Sequence, residues 1–329
     1  MTATTTLAMT IAAPGGPQAL QASEIPLPAL GPGEARIRQS YAGVNYVDVY
    51  HRSGLYPLPA YPAALGVEGA GVVTALGAGV ADLEVGDRVA YVGHPLGAYA
   101  AERVLPASRL VRLPEAIDLR TASGAMARGL TAHLLLHRVA ILNPGDWLLI
   151  HAAAGGGGQL ATHWARRLGL RVIGTVGSSA KAEIARAAGA EAVFLHSDPG
   201  WVDAVRRVAD GKGAQLAIDG IGGETFARTL GAMRPFGIVA SIGQPVGPIA
   251  PIAIEALGFP RAIAVARPRV LAYANDAELY REGARALFAA LSDGLTVSVG
   301  AEYPLGEEAR AHADLEAGRT TGSVLLAMP

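Results

Sequence analysis

The chain has 329 residues, of which 51% are hydrophobic and 17% charged, enough apolar sequence for about two ordinary domains and too much for a disordered chain. Its formal net charge of −1 leaves no basic field for a nucleic acid or an anionic membrane. The absence of cysteine excludes disulfides, thiol catalysis, iron–sulfur clusters and every cysteine-ligated zinc site.

The N-terminal stretch MTATTTLAMTIAAPGG has no basic residue ahead of its apolar ones, and the first positive side chain is Arg36. It therefore reads as no secretory signal, and the protein as soluble and cytoplasmic. Residues 35–39, 71–76 and 88–92 have strand character. The turn signals Gly31-Pro32-Gly33, Gly77-Ala78-Gly79 and Gly86-Asp87 separate them. Helical periodicity is scarce before residue 125, which points to a compact β-rich domain.

From about Thr131 strands and helices alternate. Strands are expected at 147–151, 171–176, 192–195, 216–219 and 238–241, with a sixth at 262–266. Helices are expected between them at 158–168, 180–188, 201–209 and 224–233. This succession predicts an α/β fold with a doubly wound parallel sheet covered on both faces. The uncharged run 237–254 is broken by Pro245, Gly247, Pro248 and Pro251, so it reads as strand and loop rather than a membrane span. Beyond it come a helix at 276–292, a strand at 297–299, a helix at 307–317 and a terminal strand at 323–327. That is too little for a third domain, so the chain is expected to return and complete the first.

The sequence HAAAGGGGQLATHWARRLG joins the first of these strands to its helix. Ala153, Gly155 and Gly158 take the three glycine positions of a dinucleotide fingerprint, with alanine at the first. Gly155 would let backbone approach a pyrophosphate, and Gly158 would let the helix pack close to the strand. The helix N-terminus would then offer its free N–H groups to the phosphates. The alternative is a Gly-rich turn without a ligand.

An NAD site places a carboxylate at the end of the second strand, for the ribose hydroxyls. Here Gly177, Ser178 and Ser179 stand there, followed by Lys181, one of only two lysines in the chain. Ser178 and Lys181 suit a 2′-phosphate, so NADPH is favoured. Read without a ligand, Ser178 is a helix N-cap and Lys181 a solvated side chain.

GVNYVDVYHRSGLYP at 43–57, LGVEGAGVV at 65–73, VGDRVAY at 85–91, GAYAA at 97–101, MARGLTAHLLL at 126–136, HAAAGGGG at 151–158 and GTVGSSAKAEIARAAGA at 174–190 follow one another in order. The series, from about residue 5 to the terminal GSVLL, resembles the zinc-independent quinone oxidoreductase (zeta-crystallin-like) branch of the medium-chain dehydrogenase/reductase superfamily. The resemblance implies a GroES-like β-barrel catalytic domain over 1–125, completed by 267–329, and a Rossmann NADP(H)-binding domain over 126–266. It implies reduction of a quinone by NADPH, without a metal, in a homodimer. Zinc alcohol dehydrogenases of the superfamily carry Cys and His where this chain has Asn45 and Val67. Without that Lewis acid, alcohol oxidation is not expected.

Carried over position by position, the resemblance sets Asn45, Asp48, Tyr50 and Tyr56 near nicotinamide and substrate. Asn45 touches the cofactor, Asp48 orients its neighbours, and the tyrosines either donate to a carbonyl oxygen or line the pocket. Thr131 in GLTA lies on the nicotinamide side, and Gly155, Gly156, Gly157 and Gly158 face the pyrophosphate. Gly177, Ser178, Lys181 and His196 surround the 2′-phosphate. Ile242 and Gln244 in SIGQ, and Val265 before ARP, border the nicotinamide, and Arg319 in GRTTG lies near one end of the cofactor. Three positions depart from the family: Gly157 for Val, His196 for Tyr and Gln244 for Asn. Glu68 reads as a hydrogen-bonded core carboxylate, His151 as a satisfied strand-end residue, and His133 and His137 as helix-face residues. Two other functions remain open at this point. One is an NADPH-dependent reductase of activated C=C bonds, and the other a weakly catalytic NADPH-binding protein with a structural or RNA-binding role.

Overall fold

The computed structural model describes residues 4–259 and 261–329. The N-terminal part runs β1 (Thr5–Ile11), β2 (Gln21–Pro26), β3 (Glu34–Val44), α1 (Tyr46–Ser53), β4 (Ala63–Ala64), β5 (Glu68–Leu76), β6 (Arg88–Val92), β7 (Glu102–Pro106) and β8 (Val111–Arg112). Helix α2 (Leu119–Leu134) follows. The central part alternates β9 (Trp147–His151), α3 (Gly156–Arg167), β10 (Arg171–Val176), α4 (Ser179–Ala187), β11 (Ala192–Leu195), α5 (Trp201–Val208), β12 (Ala214–Asp219), α6 (Gly223–Thr229), β13 (Met233–Ser241) and β14 (Ala264–Ala266). The chain ends with α7 (Val270–Asn275), α8 (Ala277–Ser292), β15 (Val299–Pro304), α9 (Glu308–Glu316) and β16 (Ser323–Ala327). No helix among the described residues is long and apolar enough to cross a membrane.

Two compact units result, one made of the chain up to Leu130 with Val270–Pro329, the other of Thr131–Arg269. The first is a GroES-like β-barrel. A large sheet runs β15-β16-β3-β5-β6-β8 with β7 also on β3, and a small one runs β2-β1-β4. Strand β3 shows why it forms: Ala35 and Ile37 are fully buried, while the intervening Arg36 and Arg38 are not. The C-terminal return supplies Tyr303, Ala311, Val324 and Leu326 to the same core as Ile11, Ile37, Leu65 and Tyr99.

The second unit is a Rossmann fold with a sheet in the order β11-β10-β9-β12-β13-β14, parallel throughout. Strands β9 and β12 are buried at every residue, as strands covered on both faces must be. Strand order reverses between β9 and β12, where open α/β sheets bind ligands beyond their carboxyl ends.

The structure adds elements that periodicity did not predict. α1 lies within a stretch read as β-rich, and Gly54 ends it at φ 81°, a value glycine takes without strain. Tyr50 sits on this helix. Strand β15 runs over 299–304 rather than 297–299, and the helix expected at 224–233 ends in one 3₁₀ turn at Leu230–Ala232, with Met233 already in β13.

Candidate functional site

In the barrel unit the predicted residues cluster at the start of α1. Asn45 is its N-cap, and its main-chain N–H donates to Asp48 Oδ2 at 2.8 Å. The Asn45 side chain donates from Nδ2 to Glu68 Oε1 at 2.8 Å. Glu68 is fully buried and also accepts from the Ala127 N–H at 2.6 Å and Arg128 Nη1 at 2.9 Å. The second Arg128 nitrogen donates to Val44 O at 2.8 Å, so one guanidinium pins both the carboxylate and the end of β3. Burial pushes the Glu68 carboxyl up, while Arg128 and the hydrogen bonds pull it back. Room for Glu68 comes from Gly43, its partner across β3 and β5, where a Cβ would overlap the carboxylate.

Asp48 is fully buried and its carboxyl is pushed up to about 7, by burial first, against the hydrogen bonds from Asn45 and Tyr99. Tyr50 and Tyr56 meet edge to face with ring centres 5.1 Å apart, and the Tyr56 N–H donates to Tyr50 O. Asn45, Asp48, Tyr50 and Tyr56 are thus brought together. Arg319 is exposed and pairs with Asp314 at 2.8 Å through Nε. A groove of about 390 Å³ in this unit, lined by Val80, Leu83, Ser108, Arg112, Arg281 and Arg285, holds none of the predicted residues.

In the Rossmann unit the Gly-rich segment leaves β9 through Ala152, a non-glycine residue at φ 52°, and enters α3 with Gly155 as N-cap. A Cβ on Gly158 would lie 2.5 Å from Ala152 O and 2.7 Å from Ala153 Cα, so only glycine permits this close packing of helix on strand. A Cβ on Gly157 would meet nothing within 4 Å. Alanine at the first fingerprint position has a physical reason. Ala153 is fully buried against β10, where a Cβ on Gly174 would come within 2.8 Å of its methyl, so glycine has moved to the neighbouring strand.

Ser178 caps α4, its Oγ accepting from the Lys181 N–H at 3.4 Å. His196 follows β11, and its N–H donates to Val176 O at 2.9 Å, which brings it beside the Gly177–Ser178 strand end. Burial and then the Lys181 charge lower His196 to about 4, and its Nδ1 is buried without a hydrogen-bond partner. Gly177, Ser178, Lys181 and His196 therefore meet beyond β10 and β11. His151 is hydrogen-bonded on both nitrogens, to Thr175 at 2.6 Å and Thr229 at 2.8 Å. Thr229 donates its own proton to Thr225 O, so the Nε2 of His151 carries the hydrogen.

Asp219 Oδ1 accepts from the N–H groups of Ile221 and Gly222 and shapes the turn after β12. That turn packs on Gln244, whose Oε1 accepts from Arg267 at 2.9 Å. Ile242 and Val265 are each 38% exposed. Thr131, near the end of α2, is half-buried.

A dinucleotide fits what these residues offer. The Gly158 packing brings the helix N-terminus against the strand end, Gly157 leaves open space, and an orphaned imidazole nitrogen stands beside a lysine where a 2′-phosphate would lie. Glu68, Arg128, Tyr99, His312 and Arg267 were not singled out for function from sequence. Tyr99 lies in the matched GAYAA, but nothing in local sequence pairs it with residue 312.

A family model described as an alcohol dehydrogenase GroES-like domain matches residues 31–115, and one described as a zinc-binding dehydrogenase matches 156–271. The chain is 40% identical to a quinone oxidoreductase of Pseudomonas aeruginosa over 96% of this chain and 97% of that protein. It is also 40% identical to a 2-haloacrylate reductase of a Burkholderia species over 95% and 96%. The structure of an Escherichia coli quinone oxidoreductase complexed with NADPH is 34% identical and superposes with a TM-score of 0.94, covering 98% of this chain and 99% of that one.

Proposed function

Because the chain belongs to the zinc-independent quinone oxidoreductase family of medium-chain dehydrogenase/reductases, we infer that it reduces a quinone with NADPH. The observation that carries this reading is the built cofactor cradle: a glycine-only contact between α3 and β9, followed by a strand end with serine, lysine and histidine and no carboxylate. NADPH supplies a hydride from its nicotinamide, and that chemistry is the cofactor's own.

The protein's part is binding and positioning. The N–H groups of Gly156, Gly157 and Gly158 at the start of α3 receive the pyrophosphate. Gly177, Ser178, Lys181 and His196 receive the 2′-phosphate. Thr131, Ile242, Gln244 and Val265 border the nicotinamide, and Arg319 completes the cofactor contacts from its pairing with Asp314. Asn45, held by Glu68 and Asp48, orients the reacting end, and Tyr50 and Tyr56 line the acceptor space. A hydrogen-bond donor there stabilises the negative charge that develops on the quinone oxygen. No zinc is assigned to the reaction, since Asn45 and Val67 stand where zinc alcohol dehydrogenases carry two of the ligands.

We propose that the enzyme works in the cytoplasm as a homodimer formed through its Rossmann unit. Strand β14 is the edge of that sheet, and Phe236, Ile254 and Phe259 are exposed beside or ahead of it, a surface that a second copy would cover. Reduction of activated C=C bonds is the second reading, favoured by the likeness to the 2-haloacrylate reductase.

Two measurements test this. Initial rates with benzoquinones, phenanthrenequinone and a series of enones decide the acceptor, and faster turnover of enones would overturn the quinone reading. Lys181→Ala should weaken NADPH by roughly ten-fold or more while leaving NADH unchanged, as expected for loss of a hydrogen bond to a charged phosphate. Equal effects on the two cofactors would remove Lys181 from the 2′-phosphate site.

A further inference from the structure

A line of polar side chains, buried from Arg52 inward, joins the last helix of the barrel unit to Asp48. Glu316, on α9, accepts two hydrogen bonds from Arg52, at 2.8 and 2.9 Å. Arg52 is 2% exposed, and its Nη1 also reaches His312 Nδ1 at 3.2 Å. His312 Nε2 lies 3.1 Å from the Tyr99 hydroxyl, which in turn donates to Asp48 Oδ2 at 3.1 Å. His312, Tyr99 and Asp48 are all fully buried.

The donors fix a direction. An arginine only donates, so His312 Nδ1 accepts and its hydrogen sits on Nε2. Nε2–H then donates to the Tyr99 oxygen, leaving the Tyr99 proton for Asp48. Burial and the Arg52 charge hold His312 neutral, lowered to about 3, in keeping with this tautomer. From Arg52 inward, each donation therefore passes through His312 and Tyr99 to the Asp48 carboxylate, whose Oδ2 also receives the Asn45 N–H. Chains of this kind strengthen one another in a low-dielectric interior. The arginine cannot pass a proton on, so the line orients groups and is no proton path. A second tie joins the same helices, Tyr46 donating to Leu315 O at 3.0 Å.

We propose that Tyr99, His312 and Arg52 are positioning residues that hold Asp48 as a carboxylate and, through its bond to the Asn45 N–H, fix Asn45 for the reaction. This rests on the role given to Asn45 above. The charged and titratable groups facing Asp48 and Tyr99 are Glu68 and Glu308, which disfavour the carboxylate or phenolate, and Arg128, which favours the carboxylate. A protonated Asp48 loses acceptor strength toward Asn45, so activity should have an acid limb near neutral pH.

Tyr99→Phe is the test, read in two ways. The first is the isotope-edited infrared carbonyl band of protonated Asp48 in the protein without cofactor, identified by its loss in Asp48→Asn. Losing one hydrogen bond to a charged group should move the titration of that band, and the acid limb of kcat/KM, up by about one pH unit. Activity at neutral pH should fall by roughly five-fold. His312→Leu, which leaves the Tyr99 oxygen without its donor, should move both in the same direction by less. Tyr280→Phe, which removes a buried hydroxyl bonded to Arg109 O, should move neither. A folded Tyr99→Phe, or His312→Leu if Tyr99→Phe does not fold, whose band and limb stay in place would overturn the proposal. Asn45→Ala separates the two layers: full activity there would sink the Asn45 reading itself, whereas lost activity with an unmoved Tyr99→Phe limb would sink only the positioning line.

Discussion

The pairing of Gly43 with Glu68 offers a sharp quantitative test of the barrel half of the site. In Gly43→Ala the new Cβ would overlap Glu68 Oε1 and lie 2.6 Å from its Cδ and 2.7 Å from its Cγ, so the carboxylate must leave its seat. It would then lose Asn45 Nδ2, the Ala127 N–H and Arg128 Nη1 together. Glu68 is fully buried and Arg128 only 10% exposed, so the pair would be broken away from water. Breaking a buried pair costs about 3–5 kcal/mol. For a unit of this size that is a fall in Tm of roughly 6–20 °C. Thermal and urea unfolding of wild type, Gly43→Ala, Glu68→Ala and the double variant measure it as a cycle. In the Glu68→Ala background the three atoms that the methyl meets first are gone, so Gly43→Ala should then cost far less than in the wild type, within about 0.5 kcal/mol of neutral if the carboxylate is all it displaces. Additive costs would refute the reasoning, because they would mean that the glycine does not serve the carboxylate.

Other outcomes follow from the Rossmann unit and the missing ligands. Gly158→Ala drives a methyl into Ala152 O and Ala153 Cα and should lose NADPH binding in calorimetry, whereas Gly157→Ala, with open space around it, should keep its fold and gain up to about 1 kcal/mol of helix stability. His151 is held neutral, lowered to about 3 by burial and then by His196, so its stabilisation is complete above the unfolded value near 6.5 and is lost as pH falls toward 3. The stability gap between wild type and His151→Gln, measured in urea, should therefore shrink by about 1.4 kcal/mol per pH unit below 6.5, and a constant gap would mean that His151 does not titrate this way. Prolonged EDTA treatment should leave quinone reduction unchanged; a loss restored by zinc would overturn the metal-free reading.

Periodicity carried the Rossmann unit because its strands are covered on both faces and its helices are amphipathic, patterns that local sequence displays directly. The fingerprint was legible with one blemish, Ala153, whose explanation lies on another strand at Gly174. The barrel was harder. α1 is a short helix whose N-terminus is set by a side chain reaching back from Asp48 to Asn45 and whose end is set by Gly54, and it carries buried polar residues that blur its apolar stripe. Glu68 was read as core, and its register with Gly43 and its hold on Asn45 required the β3–β5 pairing to be seen.

The sequence by itself determined the exclusion of cysteine chemistry and of cysteine-ligated zinc, the two-part organisation, the strand–helix succession and the Gly-rich turn that opens α3. Each of these is written in composition or in contacts between near neighbours. Only the tertiary structure decided which buried polar groups meet. Tyr99 and His312 stand 213 residues apart and Arg52 and His312 stand 260 apart, yet they form one directed chain onto Asp48. A buried polar atom must find its partner wherever the fold brings one, and no local period of the sequence encodes that distance.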